Sequence, residues 1–139
     1  MSSKKILQFI ARFAIPIIII LFIYNIYSHG TIIHPGKALF KAQCSQCHGE
    51  DGEGIKALVP PLQNSDYALR NLDSIPCWLK FGINHPVIVH DTVYDQPMYP
   101  SEIDEVQTAN VINFMNREFF KYDREVNPEW VKEKWKNCK

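Results

Sequence analysis

The chain has 139 residues, with 15 basic and 15 acidic side chains and a formal charge of zero. That length predicts one compact domain, and the lack of a basic patch argues against nucleic acid as a partner. The neutral total hides a division. From Ala42 to Glu105 three basic residues stand against ten acidic ones, a balance of −7, whereas Arg117 to Lys139 carries seven basic and five acidic residues, or +2. An acidic face of this kind is either ordinary solvated surface or a surface that steers a basic partner.

The first thirty residues are expected to stand apart. Lys4, Lys5 and Arg12 come before or early within an apolar segment, residues 6–27, interrupted by Gln8, Arg12 and Asn25. Its length is close to the ~20 residues needed to cross a bilayer. Pro16 is tolerable in a membrane helix, and Tyr24 and Tyr27 sit where interfacial aromatics belong. A cleaved secretory signal is the competing expectation, with Ser28-His29-Gly30 as its cut site. A retained anchor is favoured, because the apolar core is longer than a signal core and no Ala-x-Ala ends it. Under either reading the basic residues stay in the cytoplasm and the rest of the chain is exported.

His34-Pro35-Gly36 opens a short helix, with proline at a permitted first-turn position. It leads into Cys44-Ser45-Gln46-Cys47-His48. Two cysteines separated by two residues and followed at once by histidine read as a c-type haem attachment site. Each thiol adds across one porphyrin vinyl group, and the next residue falls beneath the iron, where an imidazole nitrogen ligates it. A redox dithiol would want a βαβ context, and a zinc site a second Cys or His pair; neither is visible. The single motif predicts one covalent haem c, which would supply much of the apolar interior that a small chain lacks.

Gly49, Gly52 and Gly54 force a loop that Pro60-Pro61 extends. Short helices are expected over 65–72 and 75–81, the second ended by Gly82. Residues 85–100 read as a long loop. Ser101-Glu102-Ile103-Asp104 resembles a capping box before the clearest helix, whose apolar face is Ile103, Val106, Val111, Phe114 and Met115. A last helix begins at Asn127-Pro128 with the stripe Val131, Trp135 and Cys138. No credible set of alternating strands appears, so the expected fold is all-α.

The iron has a second face. Met98 lies between Pro97 and Pro100 in a stiffened loop, which suits a soft thioether ligand. His85, His90 and Met115 are the alternatives. Met115 falls at core spacing, and loop histidines are more often surface residues. His48 and Met98 are therefore the expected iron ligands.

With these residues in place the chain resembles the class I cytochrome c family, over about residues 35–116. Gly36 and Phe40 match the family's first helix, Cys44 to His48 the haem motif, and Pro60-Pro61-Leu62 the proline loop. Gln96 to Pro100 match the methionine loop, and Phe114 the aromatic of the C-terminal helix. The resemblance implies a small class I cytochrome c fold of short helices and loops around one covalent haem, here following an N-terminal transmembrane helix. The expected divisions are 1–30 as anchor, 31–116 as the cytochrome domain and 117–139 as a C-terminal helical extension. The resemblance further implies that the carbonyl of Pro60, with Pro61 as the alternative, accepts a hydrogen bond from His48. It also implies that Leu62, Leu69, Ile75 and Leu79 line the pocket. Cys77 and Cys138 depart from a minimal member; in an oxidising compartment a disulfide between them would staple the tail.

The expected function is one-electron transfer without chemistry on a small-molecule substrate. Six-coordinate iron offers no open position, and methionine ligation raises the potential relative to two histidines. The seven residues from Ser28 to His34 reach at most about 25 Å, so the haem would work close to the membrane. The expected setting is a bacterial cytoplasmic membrane with a single N-terminal pass and the haem domain on the periplasmic side. The expected partner is membrane-bound: an oxidase, a reductase or a quinol-oxidising complex of a respiratory chain. The alternatives are a haem subunit fixed in a larger complex, with Trp130 and Trp135 as anchors, and a ligand-binding protein with open iron.

Overall fold

A computed structural model describes the backbone of residues 3–29 and 35–138, and the side chains of residues 12–25 and 35–138. The chain divides into two compact units, Met1–Ile32 and Ile33–Lys139. In the first, helix α1 spans Ser3–His29 and carries Pro16 inside it. From Phe13 to Tyr24 its large apolar side chains are all exposed. Among the described residues, no helix is long and apolar enough to cross a membrane. The described stretch does not by itself support the expected transmembrane helix, since the flanks of the apolar segment, at 6–11 and 26–27, lie outside the described side chains.

The second unit is built on a helix crossing. Helix α2 (Pro35–Gln43) buries Gly36 and Phe40. These face α6 (Glu105–Met115), which buries Thr108, Ala109, Val111, Ile112, Phe114 and Met115. Gly36 lies so close to the Asn110 carbonyl that a Cβ there would overlap it. The rings of Phe40, Phe114 and Phe119 meet at 5.0–5.4 Å, inside the range where tilted and edge-on aromatic contacts are favourable.

Between these helices the chain makes α3 (Ser45–His48), α4 (Asp66–Arg70), a 3₁₀ turn at Leu72–Ser74 and α5 (Ile75–Phe81). Ser65 caps α4 by accepting from the Ala68 N–H, the role expected of an N-cap serine. The capping box of α6 is not the expected one. Its cap is Asp104, which accepts from the Gln107 N–H while the Gln107 side chain accepts from the Asp104 N–H. Residues 85–100 are also not a plain loop. Val87–Val89 (β1) and Thr92–Tyr94 (β2) form an antiparallel hairpin. Its two-residue turn, His90-Asp91, has positive φ at both positions, the geometry that fits the twist of the flanking strands.

The segment expected as an extension packs within the same compact unit. After α6 a wide π turn, Asn116–Phe120, buries Phe119 and Phe120. The Asn113 side chain pairs with the Val126 backbone in both directions, and the Asn116 amide donates to the Arg124 carbonyl. These bonds lay the connecting stretch against α6. Helix α7 (Pro128–Lys136) then starts at the expected Asn127 cap and packs on α5 and α6.

Trp130 and Trp135 are partly buried and pack against the core of their own chain. The Trp135 indole N–H donates to the Pro76 carbonyl, and the Lys80 ammonium sits 3.8 Å from its ring centre. Lys134 and Arg124 both reach Asp73, and the Lys134 hydrogen bond is the main cause that holds the Asp73 carboxyl below the usual range.

Cys77 and Cys138 are joined by a disulfide, with Cα atoms 5.6 Å apart, a normal span for this bond. It closes a loop of 61 residues, for which chain entropy allows on the order of 4 kcal/mol. We expect no alkylation of these two cysteines until reductant is added, and up to that loss of unfolding free energy in Cys138→Ser. Mass spectrometry showing both thiols alkylated in the unreduced protein would contradict the bond.

Candidate functional site

The cysteine motif begins where α2 ends. The N–H groups of Cys47 and His48 both donate to the Cys44 carbonyl, so the chain turns tightly and His48 comes back over Cys44. Cys44 is half-buried and Cys47 exposed. Burial, with Cys47 as the lesser cause, pushes the Cys44 thiol up to about 11.

The loop after His48 holds its far end. The Gly54 N–H donates to the His48 carbonyl, and the Leu62 N–H to the Gly52 carbonyl. Folded back this way, the loop brings the Pro60 carbonyl 3.2 Å from His48 Nδ1. A carbonyl only accepts, so Nδ1 carries the proton and the Nε2 lone pair is left for a metal. Burial lowers the His48 pKa, which favours the neutral imidazole, against the lesser opposing effect of the Pro60 hydrogen bond. Of the two prolines weighed for this contact, Pro60 makes it.

Met98 arrives from the other side of the sequence. Its N–H and carbonyl bond the carbonyl and N–H of Ile83, both at 2.9 Å. Gly82 makes this approach feasible: it has φ +76°, and a Cβ there would overlap the Met98 carbonyl. The Ser101 N–H donates to the Leu79 carbonyl, closing the methionine loop on α5.

Cys44, His48, Pro60 and Met98 line two adjoining cavities of about 80 and 230 Å³. The inner one is walled by Phe40, Leu62, Tyr67, Ala68, Ile75, Trp78, Leu79, Val89, Met115 and Phe120. Among the described residues that line it, none is Asp, Glu, Lys or Arg. The outer one opens past Gln43, Cys47, Leu58, Tyr99 and Pro100.

Sequence reasoning found Leu62, Ile75 and Leu79 for the inner wall. Leu69 is not on it; α4 buries Ala68 instead and leaves Leu69 37% exposed. Tyr67 and Trp78, stacked at 5.1 Å, were missed, as were Val87 and Val89 of the hairpin and Phe120. Two short runs of β-branched and aromatic residues, Val87–Val89 and Thr92–Tyr94, either side of His90-Asp91 were the available signal for strands. Met115 lines the inner cavity from α6, and His85 the outer one. His90 is used elsewhere: its Nε2 lies 3.0 Å from the Asn64 carbonyl, and its N–H donates to Asp66.

Among the described residues, no group of three or more His, Cys, Asp and Glu is placed to hold a metal ion. The donor set instead fits a haem. Two thiols stand at the rim, an imidazole with a free nitrogen and a thioether face the cleft, and the lining is apolar.

Such a cleft beside a Cys-x-x-Cys-His turn defines a c-type haem protein. The family model described as Cytochrome c matches residues 33–117, and the chain belongs to the cytochrome c family. No curated protein matches the chain. Family membership implies covalently bound haem c, and a cytochrome c domain is an electron-transfer module rather than an enzyme.

Gly82→Ala is expected to destabilise the fold by roughly 1–3 kcal/mol, from its positive φ and the lost close approach. Chemical denaturation checks this; an unchanged midpoint would show that the Met98 loop tolerates a side chain there.

Proposed function

We propose that the protein is a membrane-anchored, monohaem c-type cytochrome that passes single electrons along a respiratory chain, to or within a terminal oxidase or reductase. The observation that carries this reading is the convergence of Cys44, His48 and Met98 on one apolar cleft. Bound there, haem supplies a reversible one-electron iron couple. The residues of the chain do the rest. Cys44 and Cys47 hold the cofactor by thioether bonds. His48, oriented by Pro60, and Met98 would ligate its iron. With both ligands supplied by the chain, no position would be left for a substrate, which favours outer-sphere transfer.

One Cys-x-x-Cys-His motif in the sequence supports a count of one haem. The exposed apolar side chains of α1 from Phe13 to Tyr24 and the basic residues at its start support an anchor in a bacterial cytoplasmic membrane, with the haem domain on the periplasmic side. The short connection after α1 then favours a partner in the same bilayer, such as an oxidase, a reductase or a quinol-oxidising complex.

Met98→Ala is the test of the ligand set. The variant is expected to have a lower reduction potential, and in its reduced form to bind carbon monoxide that the parent refuses. A variant with the parent's potential and no carbon monoxide complex would exclude Met98 as a ligand.

A further inference from the structure

We propose that Phe120, which lies beyond the family's matched region, is a positioning residue that keeps the inner haem wall dry and so raises the reduction potential. The inference rests on the haem reading above and adds a residue that neither the motif nor the family match contains. The match ends at residue 117. Phe120 stands three residues later, 4% exposed, on the inner cavity with His48 and Met98.

Phe120 is held on both sides. Ahead of it the wide turn seats Phe119 between Phe40 and Phe114, with the Gly52 backbone close against its ring. The Asn64 N–H donates to the Phe119 carbonyl at 2.9 Å, tying the turn to the loop that enters α4. Behind it Asn113 and Asn116 fix the extended stretch, and α7 is locked to α5 by the Cys77–Cys138 bond. Helix α5 itself supplies Ile75, Trp78 and Leu79 to the cavity. The tail is thus a strap with one end forming part of the cavity wall and the other stapled to α5, which also lines it.

The electrostatic consequence has a definite sign. Ferric haem carries one more positive charge than ferrous haem. A dry, apolar wall disfavours the more charged state and raises the potential, because burial and solvent access set the dielectric around the iron. A polar group at position 120 reverses this by bringing water or a rotatable dipole to the wall.

The test is spectroelectrochemical titration of the full-length protein carrying its haem. Phe120→Ser is expected to titrate at a lower potential than the parent, Phe120→Leu close to it, and Phe120→Tyr in between. Tyrosine keeps the ring and adds one hydroxyl, so it decides the matter if the serine variant does not retain haem. Val131→Ala is the control for simple loosening: Val131 is fully buried on α7 and does not line the cavity. It should melt at lower temperature with an unchanged potential. Haem-loaded polar variants at the parent potential would overturn the proposal, as would an equal shift in Val131→Ala. A parent that carries no covalent haem would instead refute the reading beneath it, so the two failures are distinguishable.

Discussion

The hydrogen bond from His48 to the Pro60 carbonyl decides which imidazole nitrogen faces the cleft, and much of the chain between α2 and α6 is arranged to make it. The bond needs Nδ1 protonated, and burial lowers the His48 pKa toward the neutral form whose other nitrogen can ligate a metal. It also needs a loop that turns back on itself within twelve residues, and Gly52 and Gly54 supply the backbone bonds that close it. The cleft it faces needs walls from α4, α5, the hairpin and α6. A unit of this size buries only a modest core of its own, so a bound macrocycle and the helices around it complete one interior together.

The parts of this arrangement that were legible in the sequence are those written in local chemistry. Cys44 to His48 and the prolines around Met98 carry their meaning within a few residues. Pro35, Asn127 and Gly82 marked helix ends correctly for the same reason. What was hidden depends on contacts between distant segments. Val87, Val89 and Tyr94 become a hairpin because His90 and Asp91 accept positive φ and because Asp66 and Asn64 hold His90, and neither fact shows in a short run of apolar residues. Leu69 has the composition of a pocket residue, yet α4 is only five residues long and turns Ala68 inward. The face of so short a helix follows from its cap at Ser65, not from periodicity.

The tail shows the same limit. Within residues 117–139 the stripe at Val131, Trp135 and Cys138 made the last helix plain and the pairing of Cys77 with Cys138 was an expectation, but the wide turn at Asn116–Phe120 was not foreseen. Their role was not plain. Two aromatic residues in the wide turn enter the interior, two asparagines pin the connection, and Trp135 gives its N–H to the Pro76 carbonyl. The tryptophans that looked like an assembly surface also pack, partly buried, against the core of their own unit.

The most direct measurement is the intact mass of the unfolded protein, made in a host that attaches haem c, followed by peptide mapping. The account predicts the mass of the chain plus one haem that survives denaturation, carried on the peptide containing Cys44, Cys47 and His48. The mass of the bare chain, with Cys44 and Cys47 both open to alkylation, would contradict it.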